Sequence, residues 1–126
     1  MEFLTSHATR AIGLPFSEAV RVGGVLYVSG QLGNVPGRLA LVPGGIAAET
    51  RQMMENIARI LNANGRSFDD VFKCTVMLGD MALWSAFNAV YLEYFKPDRL
   101  PARSAFGASG LALGAAVEME CCAWAG

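Results

Sequence analysis

The stretch IAAETRQMMENIARILNANGRSFDDVFKCTVML, residues 46–78, changes its hydrophobic period partway along, and that change sets the fold class. From Ile46 to Asn64 the apolar residues fall at Ile46, Met53, Met54, Ile57, Ile60 and Leu61. They mark one face of a 3.6-residue repeat and predict a helix. Gly65 supplies a stop, because glycine takes the left-handed backbone that ends helices. Ser67-Phe68-Asp69-Asp70 reads as a turn. From Val71 to Leu78 the period falls to two, with Phe72, Cys74, Val76 and Leu78 on one face and Val71, Lys73, Thr75 and Met77 on the other. That is a strand with one dry face and one mixed face.

Working outward, the same two periods recur. Glu18–Val22 and Val25–Ser29 flank Gly23-Gly24, a hairpin signal because tight turns demand positive φ. Asn34–Gly45 is rich in proline and glycine and reads as a loop holding one short strand at Leu39–Val42. Asp80 is placed to cap a second helix, Met81–Phe95, which Pro97 and Pro101 close. Ala102–Gly107 and Ala116–Ala125 read as the last strands. In the latter, Val117, Met119, Cys121 and Ala123 alternate with Glu118, Glu120, Cys122 and Trp124. The expected fold is α+β: a mostly antiparallel sheet with two helices packed on one face. No repeat or linker interrupts it, so residues 1–126 are expected to form one domain.

Composition narrows the partners. The chain is 53% hydrophobic and 17% charged, against about 25% charged on average. The apolar surplus points to surface shared between subunits, and hence to a homo-oligomer. The net charge is -1 and no run of Lys or Arg appears, which argues against nucleic acid as a main partner. Three cysteines, two of them adjacent, make a poor disulfide framework and fit a reducing cytoplasm. No apolar run reaches the roughly 18 residues of a membrane span.

Few residues carry chemistry. Arg103 opens a strand after Pro101-Ala102, and its planar fork matches a carboxylate at two points. Glu118 lies inside the last strand, where partial burial would raise its pKa and suit it to proton transfer. Glu120 shares that face, and spacing alone does not choose between them. Gly30, after Val28-Ser29, lets a ligand approach the backbone. His7 is the only histidine, so a zinc site or Ser-His dyad lacks its parts, and no metal is expected. The glycines of residues 107–114 lack phosphate-loop spacing.

Seven segments in register carry a resemblance to one family: Ala11-Ile12-Gly13 with Pro15–Val20, Val28-Ser29-Gly30-Gln31, Thr50-Arg51-Gln52 with Glu55-Asn56, Asp69-Asp70-Val71 with Lys73–Val76, Asn88-Ala89-Val90-Tyr91, Pro101-Ala102-Arg103-Ser104 and Val117-Glu118-Met119-Glu120. Over residues from about 10 to the end, the chain resembles the RidA (YjgF) family. The resemblance implies a chorismate-mutase-like fold and a homotrimer with pockets between subunits. It also implies cofactor-free hydrolysis of reactive 2-imino and enamino acids, such as 2-aminoacrylate, to 2-keto acids and ammonia. Arg103 matches the family's carboxylate-binding arginine, and Glu118 matches the glutamate that contacts the attacking water. Gly30, Asn88 and Tyr91 match further pocket positions. Phe16 stands where the family usually has tyrosine, Leu14 is an extra residue beside it, and Ala105 replaces a larger residue two after the arginine.

Those departures motivate an alternative, a trimer that binds small keto or amino acids without turnover. A third reading, ribonuclease action as ascribed to some relatives, meets neither a basic patch nor a histidine pair in this sequence.

Overall fold

Six strands form one mixed sheet in the computed structural model, which describes residues 1–126. They are β1 (Glu2–Leu4), β2 (Ala19–Val22), β3 (Val25–Gln31), β4 (Val71–Leu78), β5 (Ala102–Gly107) and β6 (Val117–Trp124), in the spatial order β1-β2-β3-β6-β4-β5. Every neighbouring pair is antiparallel except β4 and β5, which run parallel. A parallel pair needs a long crossover, and α3 (Trp84–Tyr91) lies within it. With α2 (Ile46–Ala63) it covers one face of the sheet. The expected α+β arrangement is therefore observed, with a short third helix added, α1 (His7–Arg10).

The core fills the space between sheet and helices. Met53, Met54, Ile57 and Leu61 of α2 meet Phe87 and Tyr91 of α3 over Leu26, Val28, Cys74, Val76, Leu78, Val117, Met119 and Cys121. Each large buried side chain here contributes roughly 1.5–3 kcal/mol of transfer free energy. Helix α2 ends as its glycine requires. Gly65 has φ 72°, and the Gly65 and Arg66 N–H groups donate back to Asn62 and Leu61 carbonyls at 3.1 and 2.8 Å. Gly23 and Gly24 both have positive φ, the turn that matches strand twist. Asp80 accepts from the Ala82 N–H at 2.9 Å, as a cap should.

The structure departs from the sequence reading at five places. Glu2–Leu4 forms an edge strand too short to register as a pattern. Glu18 is not in β2; its carboxylate is buried and accepts from Ser6 N–H at 2.6 Å and Thr9 Oγ1 at 2.8 Å, tying down the N-terminal segment. Leu39–Val42 gives only an isolated bridge, Asn34 to Leu41. The second helix is broken: 3-10 turns at Met81–Leu83 and Leu92–Tyr94 flank α3, and Phe95 is already extended. In β4, Val71 is buried and Phe72 exposed, opposite to strict alternation. The ladder to β6 steps from Val71–Ala123 to Lys73–Cys122, so Phe72 is the extra residue of a bulge. No helix is long and apolar enough to cross a membrane.

Buried polar groups of α2 fix the loops above the sheet. Glu49 accepts from the Ala116 N–H at 2.9 Å, ahead of β6. Asn56, 1% exposed, donates from Nδ2 to the Leu32 and Asn34 carbonyls, each at 3.0 Å. Replacing Asn56 with Ala strands both acceptors away from this donor, and such a loss costs about 1–3 kcal/mol. Urea denaturation of Asn56→Ala is expected to show a lower midpoint with an unchanged slope. An unchanged midpoint would mean that this link does not hold the loop.

Candidate functional site

Arg103 faces the helices. In the parallel ladder it pairs with buried Cys74, and Ala105 pairs with buried Val76, so both side chains share the covered face. Helix α3 forms the seat. The guanidinium carbon lies 4.9 Å from the Trp84 ring centroid, 4.8 Å from Tyr91 and 5.6 Å from Phe87. Nη1 donates to Asn88 Oδ1 at 2.8 Å. Trp84, Asn88 and Tyr91 stand at i, i+4 and i+7, one stripe of a helix. Rings on the guanidinium are worth roughly 0.5–1 kcal/mol each at partly exposed sites. The four ion pairs of the chain do not include Arg103. A cavity of about 300 Å³ opens beside it, lined by Asn88, Tyr91, Leu92, Leu100, Pro101 and Arg103. An immobilised cation without a counter-ion, at the wall of a cavity, is a seat for an anion.

Tyr91 adds a neutral donor. Its hydroxyl is buried without a hydrogen-bond partner. Burial, reinforced by the nearby Cys74 thiol, holds the phenol far above its ordinary range. Burial likewise pushes Cys74 up to about 11, so it stays a thiol.

Glu118 faces the other way. It pairs with Met77 and sits between buried Val117 and Met119, on the sheet face away from the helices. Half-burial raises its pKa, and the neighbouring charge of Glu120 raises it further. Neither glutamate takes part in an ion pair. Between Val28–Cys121 and Gln31–Met119 the β3–β6 ladder slips, so Ser29 and Gly30 bulge. A Cβ on Gly30 would overlap the Glu118 carboxylate. Only glycine leaves that carboxylate its place. Gly30 and half-exposed Phe16 line a second cavity, of about 200 Å³.

The residues singled out in the sequence thus fall into two sets. Arg103, Asn88 and Tyr91 come together, with Ala105 further along the same strand face. Glu118, Gly30 and Phe16 form the other set. Within one chain the sheet separates Arg103 from Glu118. Trp84 and Phe87 belong to the arginine seat and were not recognised as such in the sequence. Their spacing with Asn88 and Tyr91 was the available signal.

Three comparisons bear on this arrangement. The model of the family described as Endoribonuclease L-PSP matches residues 5–125. A protein of Capra hircus named 2-iminobutanoate/2-iminopropanoate deaminase is 46% identical over 92% of this chain and 83% of its own length. A RutC family protein of Sulfurisphaera tokodaii is 43% identical over 91% of this chain and 90% of its own. The crystal structure of RidA from a Psychrobacter species superposes with a TM-score of 0.87 at 31% identity, covering 98% of this chain and 99% of that one. Matched from end to end in sequence and in fold, the chain belongs to the Endoribonuclease L-PSP family, the RidA (YjgF) family that its motifs resemble.

Proposed function

We propose that this protein hydrolyses reactive 2-imino acids to 2-keto acids and ammonia, in pockets between the subunits of a homotrimer. The observation that carries the reading is Arg103, held against aromatic rings and by Asn88 with no acidic partner. A substrate carboxylate completes it bidentately, and the Tyr91 hydroxyl is a further donor. Because Arg103 and Glu118 lie on opposite faces of one sheet, a site using both takes them from different copies of the chain. The second carboxylate then meets the imine end of a substrate anchored on the first copy's arginine. The name of the Capra hircus relative supports the reaction class. The three free cysteines support a reducing, cytoplasmic setting.

The chemistry follows from charge and position. Glu118 accepts a proton from a bound water as its oxygen bonds to the imine carbon. The C=N π electrons move to nitrogen, which takes that proton from Glu118 to give the neutral carbinolamine. Glu118 then accepts the carbinolamine's hydroxyl proton as the carbonyl forms and passes it to the nitrogen, which leaves as ammonia. Electrons and atoms balance with water alone, since an imine is already an electrophile. Anchoring the carboxylate makes the attack effectively unimolecular. The family description names an endoribonuclease. Against that activity here, four basic residues are spent in separate ion pairs, Arg21–Glu2, Arg51–Glu93, Arg66–Asp70 and Lys96–Asp69, rather than aligned for phosphates.

Two outcomes are expected. With imino acid generated in situ by an amino-acid oxidase, Arg103→Ala should lower kcat/KM at least about 30-fold, equivalent to ~2 kcal/mol for a charge-assisted contact. Equal rates would remove Arg103 from the site. Keto-acid binding that depends on Arg103, with no turnover in any variant, would favour the non-catalytic binding trimer. The second outcome concerns pH. The ionised Glu118 is the base, so kcat/KM falls as pH drops through its pKa, and the raised value puts that limb above the ordinary 4.5. Glu120→Gln removes the smaller of the two causes and should move the limb to lower pH, with burial still holding it above 4.5. An unmoved limb would mean that another group titrates.

A further inference from the structure

The cavity beside Gly30 has a built wall that the hydrolysis just described does not use. Ile12, Leu14, Phe16, Leu32, Leu39 and Leu113 supply its apolar lining. Three of these are large and exposed at one rim: Phe16 at 50%, Leu39 at 59% and Leu113 at 47%. Exposed apolar groups gathered at one cavity mark a binding surface rather than scatter. The polar side chains of the wall make hydrogen bonds within the protein. Glu18 accepts from Ser6 N–H and Thr9 Oγ1, Asn56 donates to the Leu32 and Asn34 carbonyls, Gln31 to the Ser29 carbonyl, and Arg59 to Asn56 Oδ1.

Leu113 gives a second, independent observation. It is the only non-glycine residue with positive φ, at 60° and ψ 13°. Left-handed backbone is costly for a leucine, and such strain gathers at ligand clamps. Here it presents an apolar side chain to the cavity mouth in a turn that ends at Gly114, which also has positive φ. The volume, about 200 Å³, exceeds the 150 Å³ or so of an apolar protein cavity that admits benzene.

We infer that this cavity is the side-chain subsite, that it selects 2-imino acids bearing bulky apolar side chains of isobutyl or benzyl size, and that Leu113 is a specificity residue. The inference rests on the imine-hydrolysis reading, since Gly30 joins the cavity to the Glu118 carboxylate. A small substrate leaves the lining wet, whereas an isobutyl or benzyl group removes it from water. A negatively charged side chain loses its hydration on entering the apolar lining, and the one cation of the wall, Arg59, is solvent-exposed and already bonded to Asn56.

The test compares imino acids generated by an amino-acid oxidase from leucine, phenylalanine, alanine and glutamate. In the unmodified protein, kcat/KM for the leucine and phenylalanine products should exceed that for the alanine product by about tenfold or more, the scale of a few methylenes in an apolar pocket. The glutamate product should be poorest. Leu113→Gly and Leu113→Asn both tolerate positive φ, so the turn survives. Each should shrink the leucine-to-alanine ratio at least about threefold. Calorimetry with 4-methyl-2-oxopentanoate and pyruvate reads the same preference without turnover. If binding keeps a Leu113-dependent preference while no imine is hydrolysed, the subsite stands and the deaminase reading fails. If imines are hydrolysed with equal kcat/KM for every side chain, the subsite fails and the deaminase reading stands. A preference for the glutamate product would assign the wall to Arg59 and overturn the inference. So would an unchanged ratio with altered oligomer size in the Leu113 variants, which would assign the rim to a subunit contact.

Discussion

Strand alternation is the constraint on which everything else depends. A residue one step along a strand points to the opposite face of the sheet. Cys74 faces the helices, so Arg103, its partner in register, must face them too. Val117 and Met119 face the helices, so Glu118 cannot. The cation and the carboxylate are thereby denied each other within one chain. Neither takes part in an ion pair within the chain. A salt bridge between them would be a stable but inert arrangement. Separation leaves the two groups on opposite faces, which is why the proposed site takes them from two copies of the chain.

Each group is held in place by its own local device. On the helix-covered face, a single stripe of α3 holds the guanidinium by ring faces and one amide. The rings limit its motion without consuming its hydrogen-bond donors. On the other face, the bulge at Ser29 and Gly30 lets the β3 backbone come up to the Glu118 carboxylate, where any Cβ would collide. Burial, and then the Glu120 charge, raise the pKa of that carboxylate. The loops above it are held by Asn56 and Glu49 from α2. The packed core thus fixes the position of the loops beside Glu118.

Much of the fold was legible because periodicity reports burial. Helix α2, the Gly23-Gly24 turn and the alternation in β6 each follow from residue spacing. What escaped was governed by single-residue events. One extra residue at Phe72 inverts the faces at the start of β4. Glu18 looked like the first strand residue and is instead a buried acceptor for the N-terminal segment. The second helix tightens at both ends ahead of Pro97. The candidate site was read as a list of residues, chiefly through the family resemblance, which favours Glu118 over Glu120. The division of that list between two faces was not read, because strand order and register are set by pairing across the sheet. Leu113 gave no signal at all, since its backbone conformation is visible only in the structure.

In the proposed trimer one working site draws Arg103 and Glu118 from different subunits. Mixing two inactive variants tests it most directly. Arg103→Ala and Glu118→Gln are unfolded together in equal amounts, refolded, and assayed for imine hydrolysis. In a randomly assembled ring, about one interface in four joins an intact Arg103 to an intact Glu118. Activity should recover toward a quarter of that of the unmodified protein, and should stay absent when each variant is refolded alone. If the mixture, shown to contain mixed oligomers, stays as inactive as its components, Arg103 and Glu118 do not meet across a subunit interface in one working site.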